Sequence, residues 1–224
     1  MKVVLDTIDG KEIWEVEDQI GVFFFRSGLA IDADGSPRAY HPDGSPPGLD
    51  RTSNAGRPGH WYGLVTNESG MPIVQTEDDP APGFYVSPTA LGNDRYLERD
   101  PRKYVNSERI PYFVLPGKRT QGARLGDLAM VLNERNGMKS GAVFADTGPT
   151  DEIGEGSIAL AERLEVPSDP KHGGCGSGIV TVVFRHSRCG WPLTAEEIDH
   201  EAGKLFAEWG GIERLKALGV WNNG

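Results

Sequence analysis

The apolar positions of this chain fall in short runs separated by turn residues, the pattern of many short strands rather than long helices. Val3 to Asp6 and Glu12 to Val16 read as strands joined by Asp9-Gly10, a hairpin signal. Gly21-Val22-Phe23-Phe24-Phe25 is apolar without alternation and predicts a strand buried on both faces. Leu29 to Gly35 follows as a strand running into a turn, and His41 to Pro58 is a Pro-, Gly- and Ser-rich surface loop. Trp61 to Thr66, Pro72 to Gln75 and Phe84 to Ser87 predict three more strands, with Pro80-Ala81-Pro82-Gly83 as a breaker. Leu91 to Lys103 is charged and loosely helical, and Ile110 to Leu115 is a strand closed by Pro116-Gly117.

Two further strands are expected at Asp127 to Leu132 and Gly141 to Asp146. The spacing then turns helical: Ile158, Ala161 and Leu164 predict a helix from about Glu155 to Leu164. Gly178 to His186 is a strand rich in β-branched residues. Thr194-Ala195-Glu196-Glu197 is a capping-box opening to a helix with Ile198, Leu205 and Phe206 on one face, ending at Gly210-Gly211. The expected fold is mainly β with a few helices: a closed or nearly closed barrel, first a six-stranded double-psi-like core, with an embedded and a C-terminal helix. A β-sandwich satisfies the same strand count. No internal repeat or clear linker divides the chain, so residues 1–190 are expected to form the barrel and 191–224 a helical extension packed on it.

Composition sharpens this. A chain of 224 residues with 38% hydrophobic and 25% charged positions is globular and long enough to bury a core. The 30 glycines and 16 prolines fall between the apolar runs and favour turns. The formal charge is 23 − 33 = −10, which repels phosphate backbones and argues against a nucleic-acid partner. It would draw in a polycation, although acidity also serves plain solubility. Cys175 and Cys189 lack zinc-site spacing and form either one disulfide or two thiols. No run of about 18 apolar residues predicts a membrane span. The opening residues MKVVLDTIDGKEIWEVED contain no apolar stretch of signal-peptide length, so the chain is expected in the cytoplasm, or outside the cell if a leader has been removed.

The chemically informative stretch is Gly141 to Pro149 followed by Ile153-Gly154-Glu155-Gly156-Ser157-Ile158. Asp146 ends a buried strand where a turn delivers its side chain to the surface. Glu155 opens the next helix between two glycines that let backbone approach a ligand. Two carboxylates facing each other across a glycosidic bond can cleave it, one donating a proton and the other activating water. Each also has a local structural explanation, Asp146 as a turn former and Glu155 as a first-turn carboxylate facing the helix dipole. Asp146-Thr147-Gly148 matches the aspartic-peptidase triplet, but no second triplet exists and Pro149 follows instead of Ala.

This region resembles the catalytic region of the family 75 glycoside hydrolases, the fungal-type chitosanases, which carry an Asp in a GDTGP-like strand end and a Glu in an IGEAS-like segment. Ala30-Ile31-Asp32-Ala33-Asp34-Gly35 is similar to the family's IDxDG stretch, and Pro111 to Pro116 to its PYxVIP stretch, in the same order. The resemblance spans about residues 20 to 166. Ala145 stands where the family carries Gly, Gly156 where it carries Ala, and the Cys often found between the aspartates is missing. The resemblance implies an endo-acting enzyme that hydrolyses β-1,4 linkages of chitosan by inversion, with Asp146 and Glu155 as catalytic carboxylates. A polysaccharide is then the partner, and neither metal nor organic cofactor is implied. Glu155 is the expected proton donor and Asp146 the base, an assignment that reverses if their environments do. An apolar setting beside Ile153 and Ile158 raises the Glu155 pKa, and a helix N-terminus lowers it. Two alternatives stay open: a hydrolase of another aminosugar polymer such as peptidoglycan, and a non-catalytic carbohydrate-binding barrel.

Substrate contacts are expected from Asp32 and Asp34, which suit ammonium groups or simply cap backbone, one in each role. Trp61 and Tyr62 suit stacking on sugar rings or core packing; Tyr40 and Tyr85 are weaker candidates of the same kind, and Thr147 stands beside Asp146. Asp32-Ala33-Asp34-Gly35 lacks the later Glu of a calcium loop. Gly154-Glu155-Gly156 places a carboxylate where a dinucleotide site needs a phosphate. His172 to Gly176 reads as a flexible loop rather than a reactive-thiol site.

Overall fold

The computed structural model describes residues 1–17, 19–188, 190–191 and 194–221. Strand β1 (Lys2–Ile8) and β2 (Lys11–Val16) pair antiparallel through a two-residue turn. Asp9 and Gly10 both have positive φ, 50° and 70°, the conformation that matches strand twist in such hairpins. β2 pairs with β3 (Gln19–Asp32), in which the two strands expected from the sequence are continuous. Gly28, which lies between the two expected strands, is a point of close approach. A Cβ on Gly28 would lie 2.2 Å from the Cys175 carbonyl oxygen, beside a register shift in the partner strand.

The next segment is largely irregular, with a short ladder of β4 (Gly56–Arg57) and β5 (His60–Trp61). The three strands expected between Trp61 and Ser87 reduce to that ladder and the isolated bridges Thr66–Pro72 and Val74–Tyr85. Proline removes ladder donors here, and Gly63, Gly70 and Gly83 turn the chain. The helical character expected at Leu91 to Lys103 reduces to one 3₁₀ turn, Pro101–Lys103, capped by the Asp100 side chain.

The remaining strands are β6 (Tyr112–Pro116), β7 (Leu128–Asn133), β8 (Lys139–Gly148), β9 (Glu155–Ser157) and β10 (Cys175–Phe184). Sheet order is β1-β2-β3-β10-β7-β8-β6-β9, and β9 pairs back onto β3. Setting aside the β1–β2 hairpin, six strands close a barrel, which excludes the open sandwich. Closure depends on β9, parallel to β3 and antiparallel to β6.

Phe23, Phe25, Leu29, Phe113, Leu115, Phe144 and Ile179 belong to one core with Leu160 and Leu164, the latter following α1 (Ile158–Arg163) as its C-cap. A second core lies on the opposite face of these strands, where Leu128, Met130, Leu132, Val180 and Val182 meet Ile198, Ala202, Phe206 and Trp209 of α2 (Ala195–Trp209). Two covered faces explain why β7 is buried along its whole length and shows no alternation. Gly141 permits this contact: a Cβ there would lie 2.7 Å from the Asp199 Cα and the Ile198 carbonyl oxygen. The Gly141 N–H instead donates to Asp199 Oδ1 at 2.7 Å. The Thr194–Glu197 capping box forms, Gly210 ends α2 in the left-handed region, and α3 (Gly211–Ala217) follows. Cys175 is a free thiol; Cys189, the other half of the disulfide considered above, lies outside the described residues. Among the described residues no helix is long and apolar enough to cross a membrane.

Candidate active site

Asp146 reaches the site because β8 is irregular. Phe144 pairs with Phe113, and the next rung joins Asp146 to Val114, so Ala145 is the extra residue of a bulge. Phe144 points into the core with Phe113. Strict alternation would send Asp146 the same way, and the bulge turns it to the Val114 face. Leu91 N–H donates to the carbonyl of bulged Ala145 at 2.8 Å. Ala90 and Thr147 N–H groups donate to Asp146 Oδ1 at 2.9 and 2.8 Å. Both bonds fall on one carboxylate oxygen.

Glu155 lies on β9 and not at a helix start. The strand takes the first three residues of the expected helix because β3 and β6 satisfy its backbone from both sides. Ser157 then caps α1, accepting from Leu160 N–H at 3.1 Å while its hydroxyl donates to the Ile110 carbonyl at 2.9 Å. The flanking glycines serve this packing rather than a ligand. A Cβ on Gly154 (φ +98°) would lie 2.6 Å from the Ser27 side chain, and one on Gly156 2.8 Å from Leu160 Cδ2 and the Tyr112 carbonyl.

Val114 is paired with Asp146 on one side and Glu155 on the other. The two carboxylates therefore flank one residue at the same level of the sheet and on the same face. Two strand spacings put their Cα atoms about 9–10 Å apart. Gly148 keeps the space open: a Cβ there would lie 3.2 Å from both Glu155 Oε2 and Val114 Cγ1.

A cavity of about 700 Å³ covers this face. Six carboxylates line it, Asp32, Asp34, Asp50, Asp146, Glu152 and Glu155, and no Lys, Arg or His does so among the described residues. Asp32 on β3 is buried, and its Oδ1 accepts the Asp34 N–H at 2.8 Å. Asp34 accepts from Ser87 Oγ at 3.0 Å, which ties the irregular segment to the barrel. Asp50 caps its own loop, with Asn54 Nδ2 3.0 Å from each carboxylate oxygen. No group of three His, Cys, Asp or Glu converges in metal-holding geometry among the described residues.

Tyr40, Tyr62 and Thr147 also line the cavity, Tyr62 as a rim residue 67% exposed. Trp61 does not. It packs against the small core of Ala33, Ala39, Tyr40, Ala55 and Leu64, as does Tyr85. Asp50 and Glu152 were not singled out by sequence: each is a lone acidic residue in a loop, without periodicity or motif.

Confinement with like charges raises these pKa values. Burial, then the Asp32 and Asp146 charges, push Glu155 from 4.5 to about 8. Among the described residues no hydrogen bond or ion pair engages its carboxyl to oppose them. Burial and the Asp32 charge push Asp146 to about 7, against its two backbone hydrogen bonds. Asp32 rises to about 6, mainly by burial, and is held back by the Asp34 N–H and Tyr112. Burial followed by the Asp32 charge also raises Asp34. The arrangement thus separates a group that holds its proton, Glu155, from one whose anion is hydrogen-bonded, Asp146. No model of a known protein family matches the chain, and no curated protein matches it.

Proposed function

We propose that the protein is an endo-acting glycoside hydrolase that cleaves β-1,4 linkages of chitosan with inversion. The observation that carries this reading is the placement of Asp146 and Glu155 on either side of Val114, at one level of a cavity lined by six carboxyl groups. Carboxyl groups about 6.5–9.5 Å apart leave room for a water beneath the sugar, and Cα atoms about 9–10 Å apart on one face are compatible with that separation. Glu155 is the proton donor, because its carboxyl holds its proton to about pH 8 and no hydrogen bond or ion pair among the described residues engages it. The opposing helix-dipole effect expected from the sequence is weak, since Glu155 precedes the Ser157 cap on a strand. Asp146 is the base: its Oδ1 takes two N–H bonds, which leaves Oδ2 for the attacking water. The six carboxylates favour a polymer carrying free ammonium groups, and Tyr62 offers a ring face at the rim.

Reducing-end release from chitosan and from peptidoglycan, by wild type, Asp146→Asn and Glu155→Gln, tests the reading. Release from chitosan that falls at least about 10³-fold in both variants is expected. Release from peptidoglycan alone would keep the carboxylates and change the polymer. No release from either by folded protein would support a carbohydrate-binding barrel instead.

A further inference from the structure

We propose that Asp32 is a positioning residue of the carboxylate pair, a third charge fixed on β3 that keeps the proton on Glu155. The inference rests on the roles proposed above and adds a residue to them. The register sets the geometry. Ala30 pairs with Glu155 and Asp32 with Ser157, so Asp32 lies two residues along β3 from the Glu155 rung. Residues two apart share a face, and Asp32 therefore faces the same cavity as Glu155.

Asp32 is only 8% exposed, and its Oδ1 is anchored by the Asp34 N–H at 2.8 Å. The Tyr112 hydroxyl beside it donates to the Asp34 carbonyl at 3.0 Å and braces the same turn. The charged or titratable groups facing Glu155 are Asp32 from β3, Asp146 from β8, Glu152 from the loop before β9, and Asp50 from the irregular segment. β6 contributes apolar Val114 at the rung itself. Asp32 itself meets Asp34, Asp50, Asp146, Tyr40 and Tyr112, with no cation among the described residues. Every charge around the donor is thus negative, and Asp32 is the strongest of them on both Glu155 and Asp146.

Asp32→Asn removes the charge and keeps the Oδ1 acceptor for Asp34, so the turn is preserved. Two readouts are followed: the titration of the Glu155 carboxyl by carbon-13 NMR of glutamate-labelled protein, and the alkaline limb of kcat/KM. In Asp32→Asn both are expected to move about one pH unit toward acid, as loss of a neighbouring like charge requires. Asp32→Glu restores them, and Asp50→Asn moves them less. An unmoved Glu155 titration in Asp32→Asn would overturn the inference, as would an equal shift in Asp50→Asn. The NMR arm needs no turnover. A protein without glycosidase activity would sink the proposed function, while the titration would still decide the role of Asp32.

Discussion

Glu155 is held in the native protein under conditions that disfavour its charge. Its folded pKa, about 8, lies above the ordinary 4.5, so the native state binds this proton more tightly than the unfolded chain. The associated stability is complete below about pH 4.5 and is lost as pH rises through about 8. Glu155→Gln removes the titration and is expected to be more stable than wild type at pH 8. The gain is on the order of 2 kcal/mol, allowing for a half-buried position, and disappears near pH 4. Thermal melts at the two pH values check this; a variant less stable at pH 8 would show that the carboxyl has a partner. If Asp146 is the base and Glu155 the acid, kcat/KM follows a bell with its acid limb near pH 7 and its alkaline limb near pH 8. A pH–rate profile measures both limbs. Both residues were legible in the sequence as carboxylates at element boundaries. Asp50 and Glu152 were not, because only the folding of loops over the barrel brings them to the cavity.

At the level of elements, local pattern and tertiary pairing compete. The Glu155–Leu164 spacing is helical, yet three of its residues become the strand that closes the barrel, because β3 and β6 present unpaired edges on both sides. Apolar runs around Ile73 and Tyr85 pair only with one another and with neighbouring loops, through isolated bridges and single backbone bonds, and never extend into a ladder. The hairpin and the capped C-terminal helix were readable because Asp9-Gly10 and Thr194–Glu197 encode their geometry locally. The long-range contacts were not readable, and glycines mark several of them. Gly141→Ala would drive a methyl group into the α2 backbone and is expected to cost about 2 kcal/mol. Gly203→Ala, where only Met130 Cε stands 4.0 Å away, is expected to stabilise α2 by about 0.5–1 kcal/mol. Denaturant unfolding of the pair separates the cases; equal effects would mean that α2 does not press on β8.

For the whole molecule, the net charge is −10, and one cavity gathers six carboxyl groups with no cation among the described lining residues. Added salt should therefore raise KM for chitosan several-fold between about 0.05 and 0.5 M, with kcat nearly constant. A salt-independent KM would detach substrate capture from the acidic cavity. The closed barrel with few helices, and the capped start of the terminal helix, followed from the chain's patterning. The bulge that turns Asp146 toward Val114 did not, since one inserted residue leaves no mark in a run of apolar side chains. That bulge puts the two carboxylates on one face, and under the proposed mechanism their separation decides the stereochemistry. Proton NMR of the first reducing ends released from chitosan measures the outcome directly. The α anomer appearing first is the result predicted for a water held between Asp146 and Glu155. The β anomer appearing first, or no cleavage by folded protein, would contradict it.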